Sequence, residues 1–301
     1  MNTKQLYYVL VLAHEASFSK AADTLNITQP SLSQYIKKIE KEVGQPLFDR
    51  TNGELRLTDA GRVYIEAGRK ILDIERQMEL EFSDLAADRT GSLIIGAAPY
   101  RAAGMLPEVA KRFKEIRPGM HLVVREGTTA ELLDGIEHGE YDIALTLMPD
   151  DLRLFRCEKV TEEELVLAVP ASFPKLKTVT VPDRRYPAVD VSAIDGRGMV
   201  MLTGAQFMQK QLENLAADFS LTVHPAAVVK SLTAQIEMVR AGVGIALVPS
   251  GIERFAAGRD IVFYSVAQTL PKRELVLIWR RDRRLSKAAE ELKTVIKSIA
   301  W

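Results

Sequence analysis

Residues 17–44, SFSKAADTLNITQPSLSQYIKKIEKEVG, constrain the fold more than any other stretch, because they read as two short helices joined by a tight turn. In the first helix Ala21, Ala22 and Leu25 share one side, and their small size lets two helices cross closely. Asn26 and Ile27 break the pattern. Thr28 then offers an N-cap oxygen to the free amides of the next helix. Pro30 falls in that helix's first turn, where a missing N–H costs nothing. Leu32, Ile36, Ile39 and Val43 recur at spacings of three and four, so one face is apolar. The opposite face carries Ser31, Ser33, Gln34, Lys37 and Lys38. Hydroxyls and amides at the tip suit base edges, and the lysines behind them suit phosphates.

Bulk charge gives that reading no help. Lysine plus arginine equals aspartate plus glutamate at 40 each, and the first sixty residues carry seven of each sign. A nucleic-acid interface must therefore rest on the placement of groups. The 301 residues, 47% of them hydrophobic, are enough for more than one core. The single cysteine, Cys157, excludes an intrachain disulfide framework and fits a reducing compartment. It also excludes a sensor that joins two thiols within one chain, and its plain reading is a small buried or idle thiol. Export and membrane insertion are not expected. No apolar run approaches about 18 residues, and Lys4, His14 and Glu15 interrupt the start before any cleavage-like site, so the expected location is cytoplasmic. His14, His121, His138 and His224 are far apart, and no metal site or cofactor is expected.

Leu6, Val9, Leu10, Leu12 and Ala13 form the apolar stripe of a preceding helix, which completes a three-helix core. In PLFDRTNGELRLT, Asn52 and Gly53 make a hairpin turn, and Leu55 and Leu57 alternate with Glu54 and Arg56. This predicts a wing, with Arg50 and Arg56 flanking its tip in reach of phosphate or minor groove. From Thr58 to about Ala87 a helical pattern runs unbroken, with Tyr64, Ala67, Ile71, Ile74, Met78 and Leu85 along a narrow seam and Phe82 beside it. Such a helix reads as a dimerising linker; the alternative is a core helix of the next domain.

Beyond Gly91 the pattern alternates strand, helix, strand, helix, strand, and the near-continuous apolar strands predict parallel sheets covered on both faces. A second such unit starts at LVLAVP, and the last strand and helix, ELVLIWRR and SKAAEELKTVIKSIA, return to the first. The expected domains are 1–58, a helical winged helix-turn-helix; 59–88, the linker; and 91–301, an α/β domain with lobe I at 91–160 and 267–301 and lobe II at 161–266. Ligands in open sheets sit at the carboxyl ends of strands. Those ends place Pro99, Tyr100, Arg101, Thr128, Thr129, Thr146, Thr203, Gly204 and Ser231 in the cleft, with hydroxyls at helix N-termini and Arg101 as a positive charge. The same threonines and serines serve equally as plain N-caps. Gly242 and Gly244 precede a strand, so AGVGIALVP is no phosphate-binding loop.

These residues resemble the LysR-type transcriptional regulators over the whole chain. The likeness is carried by residues 16–61, closing on LTDAG, and by the run from Gly96 to Pro107, GEYDIAL and AGVGIALVP. It implies a winged helix-turn-helix dimer, commonly assembled as a tetramer on a promoter, with a small-molecule effector between two periplasmic-binding-protein-like lobes. By the same likeness, Gln29, Pro30, Ser33 and Gln34 face bases, while Thr28, Ser31, Lys37, Lys38 and Arg50 lie nearer the backbone. Many members carry arginine where Gln34 and Gly53 stand here. Tyr100 and Arg101 stand where a hydroxyl residue is usual, which predicts an anionic effector with a ring or flat group. A periplasmic-type solute-binding protein and a ligand sensor that binds no DNA are the alternatives. An enzyme is not expected, since no nucleophile elbow, paired carboxylates or cofactor loop occurs.

Overall fold

The computed structural model describes residues 2–51, 54–85, 91–203, 207–256, 258 and 260–299. The expected Asn52–Gly53 turn, Gly204 and the side chains of Arg50 and Leu85 lie outside the described residues.

Three helices, α1 (Thr3–Glu15), α2 (Phe18–Thr24) and α3 (Gln29–Val43), precede the hairpin of β1 (Phe48–Thr51) and β2 (Glu54–Leu57). Asn2 opens α1 in a capping box with Gln5, Ser17 caps α2, and Thr28 caps α3 as its sequence position predicts. Between α2 and α3 the chain turns through Asn26 at φ +53°, one of the few residue types that tolerate the left-handed region. Leu6, Val9, Leu12, Ala21, Ala22, Leu32, Ile36 and Ile39 close the three-helix core, whereas Val43 is exposed at its edge. Glu40 fixes the hairpin to α3 by accepting from the amides of Leu47 at 2.8 Å and Phe48 at 3.2 Å. The long helix α4 (Asp59–Leu85) then packs along α1. Gly61 lets it pass so close to the Leu47 carbonyl that a Cβ would collide with it, and Gly68 rests against Leu6.

The first lobe comprises β3 (Gly91–Ala97), α5 (Pro99–Gly104), α6 (Leu106–Ile116), β4 (Met120–Glu126), α7 (Thr129–Glu137), β5 (Ile143–Leu147) and the crossing strand β6 (Phe155–Glu163). The second comprises β7 (Leu165–Pro170), β8 (Thr178–Val179), β9 (Ala188–Val189), β10 (Gly198–Leu202), α8 (Phe207–Asp218), β11 (His224–Val229), α9 (Leu232–Arg240), β12 (Ala246–Pro249) and β13 (Ile261–Val266). The return is made by β14 (Arg273–Arg280) and α10 (Lys287–Ser298).

The two five-stranded sheets are mixed, which corrects the expectation of parallel ones, whereas β10 and β11 form a parallel pair of their own. In the first, ordered β4-β3-β5-β14-β6, β3 is parallel to β4 and β5, but β14 is antiparallel to both its neighbours. In the second, β7 is antiparallel to β12 and β13. The reason is geometric: the strand that enters each lobe from the other runs against the strands native to it. Two elements come in addition to the expected alternation: β6 between the lobes, and α5, which Pro99 to Arg101 open directly after β3.

At the crossings one carboxylate ties the lobes together. Glu163, at the end of β6, accepts from Arg101 of α5 at 2.7 Å and from Arg273 at the start of β14 at 2.9 Å, with all three side chains buried. Its other oxygen lies against Gly251 of lobe II, where a Cβ would strike it, and Arg273 reaches the Met208 sulfur of α8 at 3.1 Å. Removing one partner from such a group strands buried charge, so Glu163→Ala is expected to cost about 3–5 kcal/mol of stability. Urea unfolding of the full chain followed by circular dichroism measures this, and a loss below about 1 kcal/mol would show the trio to be solvated in solution.

Candidate functional site

The exposed end of α3 presents Thr28, Gln29, Pro30, Ser31, Gln34, Lys37 and Lys38 to solvent, with Ser33 half-buried at their edge. Two of these hydroxyls are already engaged. Thr28 Oγ1 accepts from the Ser31 amide at 3.4 Å and lies 2.8 Å from Ser31 Oγ. Among the described residues no hydrogen bond holds the Gln29 or Gln34 side chain, and both amides face solvent, where they suit a base edge with matching donors and acceptors. Arg56 is exposed on β2, beside the turn. Behind this surface the Tyr8 and Tyr35 rings meet at 4.8 Å, and Gln5 donates to Glu42 at 2.8 Å, so α1 holds α3 from its inner side.

The cleft residues separate into a rim and a floor. On the rim Thr128 caps α7, and its hydroxyl and amide both bond Glu131, at 2.9 and 2.7 Å. Ser231 caps α9 through the Ala234 amide. Thr128, Thr129, Thr203 and Ser231 are all exposed, as is Pro99. Thr203 donates its amide to the Val229 carbonyl at 2.8 Å, which brings β10 beside the entry to α9. The two lobes face one another here: the Glu131 carboxyl is held below its usual range by Thr128 first, and also by Lys230 from the opposite lobe.

The floor differs from expectation at two residues. Arg101 is only 3% exposed, and its charge is committed to Glu163, because a guanidinium taken out of water requires a counter-charge. Tyr100 is 5% exposed and joins the lobe II core of Val166, Val200, Ile236 and Val248, stacked under Arg101 at 4.6 Å. It plugs the floor instead of lining an open pocket. Burial pushes its phenol up to about 12, so it stays neutral. Thr146 is buried too, and neither its hydroxyl nor the Gln235 carbonyl oxygen has a hydrogen-bond partner among the described residues. Two arginines share the Glu163 carboxylate, so the trio by itself holds one more positive than negative charge. Glu163 and Arg273 were missed by sequence reasoning: Glu163 ends the charge-rich strand β6 and Arg273 opens β14, and pattern alone does not separate a buried strand-end charge from a solvated one.

The linker seam is also shifted. Tyr64, 9% exposed, packs into the helix-turn-helix core with Ile65 and does not belong to an outer face. The exposed apolar stripe of α4 instead runs Val63, Ala67, Ile71, Ile74, Met78 and Phe82, with Ile74 63% and Phe82 61% exposed. Val63 and Phe82 complete it at the two ends. No helix among the described residues is long and apolar enough to cross a membrane, and no group of His, Cys, Asp or Glu among them is placed to hold a metal ion.

Residues 3–62 match the family described as "Bacterial regulatory helix-turn-helix protein, lysR family", and residues 86–300 match the LysR substrate binding domain. The chain is 26% identical over 300 residues to the uncharacterized HTH-type transcriptional regulator YcgK of Bacillus subtilis, covering 96% of this chain and 92% of that one. It is 25% identical over 299 residues to the DNA-binding transcriptional dual regulator OxyR of Escherichia coli, covering 99% and 95%. Among solved structures, the LysR family regulator CbnR superimposes with a TM-score of 0.68 at 20% identity, covering 99% of this chain and 100% of that one. Full-length CbnR complexed with its target DNA superimposes with a TM-score of 0.66 at 20% identity, covering 99% of each chain. The helix-turn-helix, its wing, the long linker and the two-lobed domain are thus those of one family, and the chain is a LysR-type DNA-binding transcriptional regulator with an effector-binding domain.

Proposed function

We propose that this regulator reads its operator as a dimer, through Gln29, Pro30, Ser33 and Gln34 at base edges. Thr28, Ser31, Lys37, Lys38, Arg50 and Arg56 contact the phosphate backbone, and an anionic effector bound between the lobes modulates the complex. The observation that carries the DNA reading is the α3 tip, exposed and with both glutamine amides uncommitted, on a helix whose other face is core. In this reading the protein works in the cytoplasm, catalyses no reaction and needs no cofactor. Any response to peroxide, the signal named for several relatives, would have to avoid an intrachain disulfide, because Cys157 is the chain's one cysteine.

For the effector, the buried net positive charge of the Arg101–Glu163–Arg273 floor and the exposed Lys230 on the rim favour a carboxylate. The exposed hydroxyls of Thr203 and Ser231 supply its remaining contacts, while the Thr128 hydroxyl stays with Glu131. Tyr100 fills space that a large ligand would need, so the effector is small.

Mobility-shift titration on the chain's own upstream region tests the DNA reading. Gln34→Ala is expected to weaken the specific complex by about 1–3 kcal/mol and relax preference at one base pair. Lys37→Ala should weaken all sequences alike and lower the salt slope by about 1. Absence of any shift at low salt would count decisively against the reading. Assembly is tested at Ile74: Ile74→Glu places a charge in the stripe, and sedimentation equilibrium is expected to show monomers that no longer bind the full operator. A mutant that remains dimeric would move the interface elsewhere. For the effector, calorimetric titration of small carboxylates against their neutral amides should give binding only to the former, and Lys230→Gln should weaken it about tenfold, the value of one charge-assisted hydrogen bond. Equal affinity for the amides would exclude an anion.

A further inference from the structure

The floor of the cleft and the linker helix are joined by one strand. At its first residue β14 carries Arg273, bound to Glu163 at 2.9 Å. At its last it carries Arg280, whose Nη1 lies 3.0 Å from Asp73 on α4. The two arginines are seven residues apart, roughly 24 Å at about 3.4 Å per residue. Between them β14 is paired to β6 along its length, with one irregularity after Leu275, and to β5 over Leu275–Ile278, so it moves with the sheet and not alone.

At the linker end the acid is as buried as the floor, while its arginine partners reach partly into solvent. Only 1% of the Asp73 side chain is exposed, and it meets Arg280 and Arg283. It is seated on Gly139, whose φ of +73° suits glycine and where a Cβ would run into the Asp73 carboxyl. One turn along α4, Arg76 pairs with the buried Asp142 at 3.2 Å and donates to the carbonyls of Glu140 at 2.9 Å and Gly139 at 2.5 Å. Asp142 in turn accepts from the Ile94 amide at 2.7 Å, which ties the clamp to β3. These contacts do more than surface ion pairs, because both acids are buried and Arg280 and Arg76 reach their partners through hydrogen bonds.

We propose that β14 is the strut that carries lobe closure to the linker helix, and that Asp73 is the positioning residue that sets the angle of the DNA-binding domain. Glu163 senses closure because it touches Arg101 of lobe I on one side and Gly251 of lobe II on the other. Arg273 and Glu163 are cross-strand neighbours, so a pull on Glu163 tilts β6 and β14 together, and Arg280 passes the tilt to Asp73. The inference rests on DNA binding by the amino-terminal domain only for its consequence, not for its test.

Hydrogen exchange on the full chain, without DNA, tests the coupling. Glu163→Asp keeps the charge and shortens the reach by one methylene. It is expected to raise exchange at residues 69–80 of α4 at least fivefold while β3 and α1 stay unchanged. Loosening confined to residues 99–105, with 69–80 unaltered, would overturn the strut. If β3 loosens as well, the reciprocal variant decides, since coupling between two sites acts equally in both directions. Asp73→Asn must then raise exchange at 99–105 at least fivefold, and no change there overturns the proposal. Failure of either arm leaves DNA binding untouched, and a missing mobility shift leaves the exchange result standing.

Discussion

A carboxylate buried between two guanidinium groups is the constraint on which the arrangement of this protein's effector domain depends. Glu163 is shut off from solvent, so the lobes can rearrange only in ways that keep its contacts or exchange them for others of equal strength. Interfaces of this kind switch between discrete states and do not deform smoothly. The surplus of one positive charge makes a second anion the natural exchange partner. An effector carboxylate that drew Arg101 or Arg273 toward itself would relieve the sharing of Glu163 and change the relation between β6 and β14 at the same moment.

The linker helix faces a second constraint, because its sides are committed to different partners. Tyr64, Ile65 and Gly68 belong to the helix-turn-helix core, Asp73 and Arg76 belong to lobe I, and the stripe from Val63 to Phe82 is exposed. No rotation of α4 about its axis leaves all three unchanged. A helix anchored in this way transmits torque, whereas one held by a single face would slip.

Much of this was legible from residue order. The helix-turn-helix, its caps, the wing and the long linker follow from short-range rules: Thr28, Pro30 and the spacing of Leu32, Ile36 and Ile39 act within one or two turns. The α/β alternation was legible for the same reason, as were the helix caps Thr128 and Ser231. What could not be read was set by contacts across long separations. Tyr64 and Val63 are adjacent, and only the position of α1 decides that the tyrosine goes inward. Arg101 looks like a free cation until Glu163, sixty-two residues later, is seen to hold it. The antiparallel entry of β7 and β14 is likewise a property of the double crossing, not of either strand's composition. The buried acids Asp73 and Asp142 lie on surfaces that seem solvated until helix and lobe are brought together.

The balanced charge of the amino-terminal domain ties these observations to control. With seven acidic and seven basic residues in its first sixty, one domain has little nonspecific grip on DNA, because that grip scales with the phosphates it neutralises. Two such domains on one rigid seam bind far more tightly, but only if both recognition helices meet successive major grooves together; otherwise the gain is lost. A weak half-site thus makes occupancy sensitive to the angle of α4, and that angle is held by the Asp73 clamp. A strongly basic domain would stay bound through small changes of angle. The near-neutral surface of this one is what allows a displacement at a buried salt bridge in the effector domain to be read out on DNA.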